Sequence, residues 1–279
     1  MEAKNLPLVS VVITTKNVEK ILKNLLKSIK RQTYPRIETI VVDNNSQDKT
    51  KEIARKYTDK VFNFGPERSA QRNFGARKAK GDYLLFLDAD MELAPRVVEE
   101  CVGVVRENPA IKAVIIPEES FGEGFWAKCK ALERSFYLGD ETIEAARFFD
   151  RKVFFEFDGY DENLTGPEDW DLPQRLKEKY KIGRIKSFIR HNEGKLFFFG
   201  LARKKYYYAQ KLHHYLKKHP SLVTRQQIVY FLRPAFYRNW KKLISHPILF
   251  FGMIIMLTAE MLAGVAGLLK GEFSYGSND

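Results

Sequence analysis

The feature that most restricts the fold of this chain is an apolar run that recurs, each time closing on a polar residue and each time followed by a helical pattern. Leu8-Val9-Ser10-Val11-Val12-Ile13-Thr14-Thr15 reads as a strand buried on both faces, the kind found in parallel sheets. Val18, Ile21, Leu22, Leu25, Leu26 and Ile29 then recur at the spacing of one apolar helix face. Ile37-Glu38-Thr39-Ile40-Val41-Val42 is a second strand, closing on Asp43-Asn44-Asn45-Ser46, and Ser46 or Asp48 is placed to cap a helix running through Arg55. A short strand over Lys60 to Phe64 and a helix over Ser69 to Ala79 lead into Gly81-Asp82-Tyr83-Leu84-Leu85-Phe86-Leu87-Asp88-Ala89-Asp90. Strands alternating with helices imply right-handed βαβ units, hence an α/β fold with a mostly parallel sheet flanked by helices. Ligands of such sheets bind beyond the carboxyl ends of the strands, where Thr14, Asp43 and Asp88 all fall.

The carboxylates at those ends suggest chemistry. Residues i and i+2 of an extended segment point the same way, so Asp88 and Asp90 can converge on one hard divalent cation, Mg²⁺ or Mn²⁺, whose other ligands are water and substrate phosphate. Asp43 can accept a hydrogen bond from a nucleobase or close an Asx-turn. Arg72, in Gln71-Arg72-Asn73-Phe74-Gly75-Ala76, is either a solvated helix residue or a partner for a diphosphate. A second acidic cluster, Gly166-Pro167-Glu168-Asp169-Trp170-Asp171-Leu172, opens a helix, where the macrodipole alone favours acids. His191 follows an expected strand over Ile185 to Ile189. Cys101 and Cys129 have no metal-ligand spacing, and two cysteines give no disulfide framework, as suits a reducing compartment.

Val9 to Asn17, Val41 to Asp48, Gln71 to Ala76, Leu87 to Asp90 and Gly159 to Arg175 together resemble the family 2 glycosyltransferases, in order, over about residues 8 to 195. The one departure is mild: Asp43-Asn44-Asn45-Ser46 stands where many relatives have Asp-Asp or Asp-Asn-Gly-Ser. The resemblance implies a GT-A, Rossmann-like fold and inverting transfer from a nucleotide sugar, GDP-mannose or a UDP-hexose. It implies base binding at Asp43 with Thr14 and Thr15 lining the pocket, diphosphate contact at Arg72, and donor and metal contact at Asp88. It also implies a metal set of Asp88, Asp90 and His191, Asp169 as the base that deprotonates the acceptor hydroxyl, and Glu168 orienting that acceptor. Trp170 is then expected at the floor of the sugar pocket and Asp171 as a cap.

The second half differs in composition. The net charge of +12 is concentrated between Leu201 and His246, which hold 11 Lys/Arg and no Asp or Glu, interleaved with aromatics that include Tyr206, Tyr207, Tyr208, Tyr230, Phe231 and Trp240. Such a segment suits nucleic acid or an anionic lipid interface. The next stretch of chain decides between them: Ile248 to Leu269 is a run of 22 residues with one charge, Glu260. As a helix it is about 33 Å long, enough to cross a hydrocarbon core, although a surface-lying helix or a buried core helix fits the same composition. Arg233, Arg238, Lys241 and Lys242 precede it and Lys270 alone comes after, which places the catalytic domain on the cytoplasmic side of the cell membrane. The leading residues Met1 to Pro7 lack an apolar signal core, so nothing there is expected to export that domain.

The sequence therefore leads us to expect a GT-A transferase domain over residues 1–200 and a basic, apolar, helical membrane-binding region over 201–279. The expected activity is metal-dependent transfer of one hexose to a lipid or lipid-linked saccharide, with anionic membrane and no nucleic acid as partner. The aromatics between Phe121 and Tyr137 belong either to the acceptor side or to a core. A nucleic-acid-binding protein on a nucleotide-binding fold would explain the charge but not Asp88, Asp90, Asp169 and the apolar run. An inactive membrane scaffold would leave the intact carboxylate set without a purpose.

Overall fold

The computed structural model describes residues 6–220, 229 and 233–276, with side chains as far as residue 271. Met1 to Asn5 of the leading residues, and Arg225, Tyr230 and Phe231 of the basic segment, lie outside the described residues. Contacts divide the chain into two units, the first comprising residues 1–118, 145–162 and 168–191, the second residues 119–144, 163–167 and 192–279.

The first unit contains the βαβ run read from the sequence. Its elements are β1 (Val9–Thr15), α1 (Leu22–Lys30), β2 (Ile37–Asp43), α2 (Thr50–Arg55), β3 (Val61–Asn63), α3 (Arg68–Lys78) and β4 (Tyr83–Asp88). They continue as β5 (Met91–Leu93), α4 (Val97–Glu107) and β6 (Ile111–Ile115), and after an excursion into the second unit as β8 (Ala146–Asp150), α6 (Arg151–Glu156), α7 (Glu168–Lys177) and β9 (Lys181–Arg184). The seven-stranded sheet has the order β3-β2-β1-β4-β8-β6-β9. β1 lies parallel to both neighbours, with Thr14 opposite Val42 and Asp88, and β8 runs antiparallel between β4 and β6.

The apolar runs are uninterrupted because both sheet faces are covered. Val9, Val11 and Ile13 enter one buried cluster with Val41, Leu85 and Leu87, while Val12 enters the other with Ile40, Val42, Leu84 and Phe86. Burial of side chains of this size stabilises by about 1.5–3 kcal/mol each, which makes β1, buried at every position, a dominant element.

Two local expectations shift. α1 begins at Leu22 rather than Val18: the residues between form a turn in which Ile21 N and Leu22 N donate to Val18 O, and the amides of Val18 and Glu19 donate to Thr50 Oγ1 (2.8 Å) and Asp48 Oδ2 (3.1 Å). No strand covers Ile185 to Ile189: the amides of Lys186 and Ser187 donate to the Glu100 carboxylate at 3.1 and 2.9 Å, which makes a turn. Ile185 and Ile189 are buried on either side of it, so their spacing imitates a strand. His191 instead lies inside β10 (Ile189–Lys195), which pairs antiparallel with β5, His191 opposite Met91. A small sheet of order β5-β10-β7 includes β7 (Glu118–Glu123).

The second unit is mainly helical: α5 (Gly124–Ser135), α8 (Phe198–Ala209), α9 (Leu212–Lys218), α10 (Pro234–Arg238), α11 (Trp240–Ser245) and α12 (Pro247–Gly276). Its core joins Cys129, Leu132, Phe136 and Tyr137 to Phe236, Met253, Met256 and Leu257. Phe136 and Tyr137 are thus core residues, the second of the alternatives open in the sequence. Pro247–Gly271 is long and apolar enough to cross a membrane by length and composition.

Candidate active site

The site grows from α3, whose motif residues each reach a different element. Gln71 donates to the carbonyl of Val42 at 2.7 Å and, more weakly, to that of Thr15 at 3.3 Å, which ties the helix to the carboxyl ends of β2 and β1. Asn73 clamps the loop after α6, accepting from Tyr160 N (3.0 Å) and donating to Tyr160 O (2.8 Å). Phe74 stacks on Phe64 with ring centroids 4.4 Å apart. At Gly75 an added methyl would overlap Val12 and press on Val42, so only glycine lets the helix lie this close to the sheet. These ties leave Arg72, wholly buried, one direction to point.

Arg72 points at carboxylates. Its Nη2 donates to Asp88 Oδ1 and Oδ2 at 3.0 and 3.2 Å, and its Nη1 to Asp169 Oδ1 at 2.6 Å, with Glu168 Oε1 3.8 Å away. The Tyr160 ring lies 5.1 Å from the guanidinium. Arg68 stands 3.5 Å from Asp88 and 3.8 Å from Glu168, and Arg147, arriving on β8, stands 3.8 Å from Asp88. Thr14 Oγ1 donates to Asp88 Oδ1 at 3.2 Å. Burial pushes the Asp88 carboxyl up, but the three guanidiniums outweigh burial and hold it well below the usual carboxylate range. Burial first, and the charge of Asp169 second, push Glu168 up. Asp169 is the most open of the three acids, in the first turn of α7. Pro173, which lacks an N–H, cannot close the helical bond back to the Asp169 carbonyl.

A second line of side chains runs through His191. Its Nδ1 lies 2.9 Å from Glu118 Oε2 and its Nε2 3.4 Å from Asp90 Oδ2. An ionised Glu118 only accepts, so Nδ1 carries a proton toward it, and Nε2 is the ring nitrogen that faces Asp90. Glu118 also accepts from Arg147 Nε, which closes the line back toward Asp88. Asp90 Oδ1 is buried with no hydrogen-bond partner. An orphaned carboxylate oxygen beside an imidazole nitrogen fits a divalent cation. Among the described residues no three His, Cys, Asp or Glu side chains form a metal-holding group by themselves, so a cation here would complete its shell from water and substrate oxygens.

The structure thus brings Thr14, Arg72, Asp88, Glu168 and Asp169 together, and pairs Asp90 with His191, while the oxygens of Asp88 face the arginines. Asp43 is buried at the end of β2. Its carboxylate accepts from Thr15 Oγ1 (2.8 Å), Ser46 N (2.7 Å) and Ser46 Oγ (2.6 Å), so it fixes the turn that follows β2. Asp171 holds Arg175 at 2.8 Å, and Arg175 in turn donates to Gly159 O at 2.6 Å; it is a buried brace for that loop. Arg147 and Glu118 carried no signal in the sequence, since neither belongs to a motif and each arrives from the chain flanking the excursion into the second unit.

Carboxylates and arginines are thus gathered at the carboxyl ends of parallel strands, with an antiparallel strand beside β4. The sequence profile of glycosyl transferase family 2 matches residues 10–160, more than half of the chain. The chain belongs to glycosyl transferase family 2. An uncharacterized glycosyltransferase of Haemophilus influenzae is a 27% identical relative over 193 residues, 63% of this chain and 65% of that protein. A second from the same organism is 36% identical over 37% of this chain and 44% of its own length, so the chain spans less than two thirds of each. Among solved structures, the mannosyltransferase PcManGT of Pyrobaculum calidifontis, in complex with GDP-Man and Mn²⁺, superposes with a TM-score of 0.64 at 17% identity, covering 98% of this chain and 89% of that one. At that identity the likeness establishes a shared fold, the mostly parallel sheet flanked by helices expected from the sequence.

Proposed function

We propose that this chain transfers a single hexose, with inversion, from a nucleoside diphosphate sugar to a hydroxyl of a lipid or lipid-linked saccharide at the cytoplasmic face of the cell membrane. The observation that carries the reading is Arg72, one buried guanidinium that hydrogen-bonds both Asp88 at the end of β4 and Asp169 at the start of α7. That contact puts a phosphate-binding group and a candidate base within a few ångströms of each other.

Each residue has a distinct part in that transfer. Thr14, Thr15 and the Asp43 turn edge the nucleoside. Arg72, with Arg68 and Arg147, presents guanidinium forks to the diphosphate, which competes for them with Asp88 and Asp169. Asp90 and His191, joined by Asp88, would hold a divalent cation, Mn²⁺ or Mg²⁺. When bound, that ion supplies neutralising charge for the departing diphosphate. Asp169 takes the proton of the acceptor hydroxyl as its oxygen bonds to C1 of the sugar; the C1–O bond to phosphate breaks and its electron pair leaves with the nucleoside diphosphate. Glu168, its carboxyl pushed up by burial, orients the acceptor.

PcManGT was solved with GDP-Man, and a Staphylococcus aureus TarS structure with UDP-GlcNAc, so GDP-mannose and UDP-hexoses are the donors to test. The membrane acceptor is supported by the long apolar helix and by the basic residues ahead of it. Residues 1–200 are read as the transferase domain and 201–279 as the membrane-binding region.

The test is transfer of label from GDP-mannose, UDP-glucose, UDP-galactose or UDP-N-acetylglucosamine into host lipid extract with Mn²⁺ or Mg²⁺, beside Asp169→Asn. Label entering the organic phase from one donor, and lost in the variant and in chelator, is expected. Label entering only water-soluble acceptors would remove the lipid from the proposal, and no dependence on Asp169 would remove the base.

A further inference from the structure

The apolar helix α12 does not present the same surface all round. Ile248, Phe251, Ile255, Leu262, Val265 and Leu269 are each at least half exposed. At 100° per residue they fall within about 100° of arc, a stripe about 32 Å long. The opposite arc is covered by the second unit's own helices along its whole length. Gly252 lies against Phe125 and Cys129 of α5, Glu260 pairs with Lys130 of α5 at 3.0 Å, and Gly264, Gly267 and Gly271 lie against Lys205, Tyr206 and Gln210 at the end of α8.

Those partners decide how the helix can meet lipid. α5 carries Lys128, Lys130, Glu133 and Arg134, and α8 carries Arg203, Lys204 and Lys205. A helix crossing the bilayer would draw these charges into hydrocarbon with it, which is costly at every one of them. A helix lying in the plane of the interface immerses only its free arc. The lead-in helices α10 and α11 expose Tyr237, Trp240 and Ile244, residues suited to the headgroup boundary. From residue 196 to 271 every exposed charged side chain among the described residues is cationic, Arg203, Lys204, Lys241 and Lys270 among them, which complements an anionic surface.

We propose that α12 is not a transmembrane span but an in-plane anchor, which docks the second unit on an anionic bilayer through its Ile248–Leu269 stripe. The inference takes up the membrane location proposed above and is independent of the transfer chemistry.

The experiment uses the full chain in sealed inverted membrane vesicles of the expression host, cytoplasmic face outward, with Ser245→Cys or Lys270→Cys as single labelling sites; Cys101 and Cys129 are buried. Labelling of both positions by an impermeant maleimide before detergent is expected, because both ends of the helix stay on one side. Labelling of Lys270→Cys only after detergent would overturn the proposal in favour of a span. In parallel, flotation with phosphatidylcholine vesicles should require added phosphatidylglycerol, and Phe251→Ser and Leu262→Ser should each reduce the bound fraction by about tenfold. No flotation, with a dimer that Phe251→Ser dissociates, would overturn it in favour of a second copy on the stripe. Neither readout depends on sugar transfer, so loss of the enzymatic reading would leave this one standing, and the reverse.

Discussion

Each of the two units buries a cluster of opposite charges, and each cluster is built differently. In the first, Arg72 sits between Asp88 and Asp169 at the carboxyl ends of parallel strands, with Asp169 partly open to solvent. In the second, Lys130 sits between Glu133 (2.6 Å) and Glu260 (3.0 Å), with Arg233 3.6 Å from Glu133, inside a helical core. The surfaces differ in the opposite sense. Phe155 is the only large hydrophobic side chain that the first unit leaves exposed among the described residues, and the second unit holds all the others. Buried charge is therefore no mark of chemistry by itself. What separates the two clusters is placement: one lies at the carboxyl ends of parallel strands with Asp169 partly open to solvent, the other fastens a long apolar helix to its neighbours.

The comparison is sharpened most by Asp169→Asn, which should lower transfer by about 10²–10⁴-fold with no change in vesicle binding; unchanged activity would remove the catalytic meaning of the first cluster. Next come the two central cations. Arg72→Met takes the nearest cation from Asp88 and Asp169, and Lys130→Met takes it from Glu133 and Glu260, each at about 3–5 kcal/mol in denaturant unfolding. Only Arg72→Met should also weaken nucleotide binding measured by calorimetry. Equal losses of nucleotide binding in both would erase the distinction between the clusters.

Acid should act on the second unit through Glu133. Burial pushes its carboxyl up, but Lys130 and Arg233 outweigh burial and hold it at about 2, against an ordinary value of 4.5. The stabilisation is thus fully present above about pH 4.5 and is lost as pH falls toward 2. Urea midpoints followed across that window should fall for the parent more steeply than for Glu133→Gln. A smaller effect is expected of Glu118→Gln, which takes the negative charge from the acceptor that orients His191: Mn²⁺ affinity read by electron paramagnetic resonance should drop by about 10–100-fold. Smallest is Phe251→Ser, within about 0.5 kcal/mol of the parent in stability although it weakens vesicle binding.

Much of the first unit was legible because its signals are local. An apolar run without alternation states that both faces are covered, and Asp88, Arg72 and Asp169 stand in motifs whose order along the chain survives folding. Arg147 and Glu118 were not legible, since their place in the site depends on β8 running antiparallel beside β4 and on β7 starting next to His191. The strand expected over Ile185 to Ile189 failed for a related reason: two buried isoleucines give the spacing, but the carboxylate of Glu100, far away in sequence, takes the amides between them.

The apolar helix draws the same line. Composition by itself determined that Ile248 to Leu269 must leave water, and that cations crowd the approach to it. Only the tertiary structure decided which arc is spent on α5 and α8, which arc is left over, and that Glu260 meets Lys130 instead of solvent. Hydrophobicity is a property each residue carries in its own side chain, so periodicity along the chain records it. The partner of a charge is set by which distant segments the fold brings together, and no local pattern contains that.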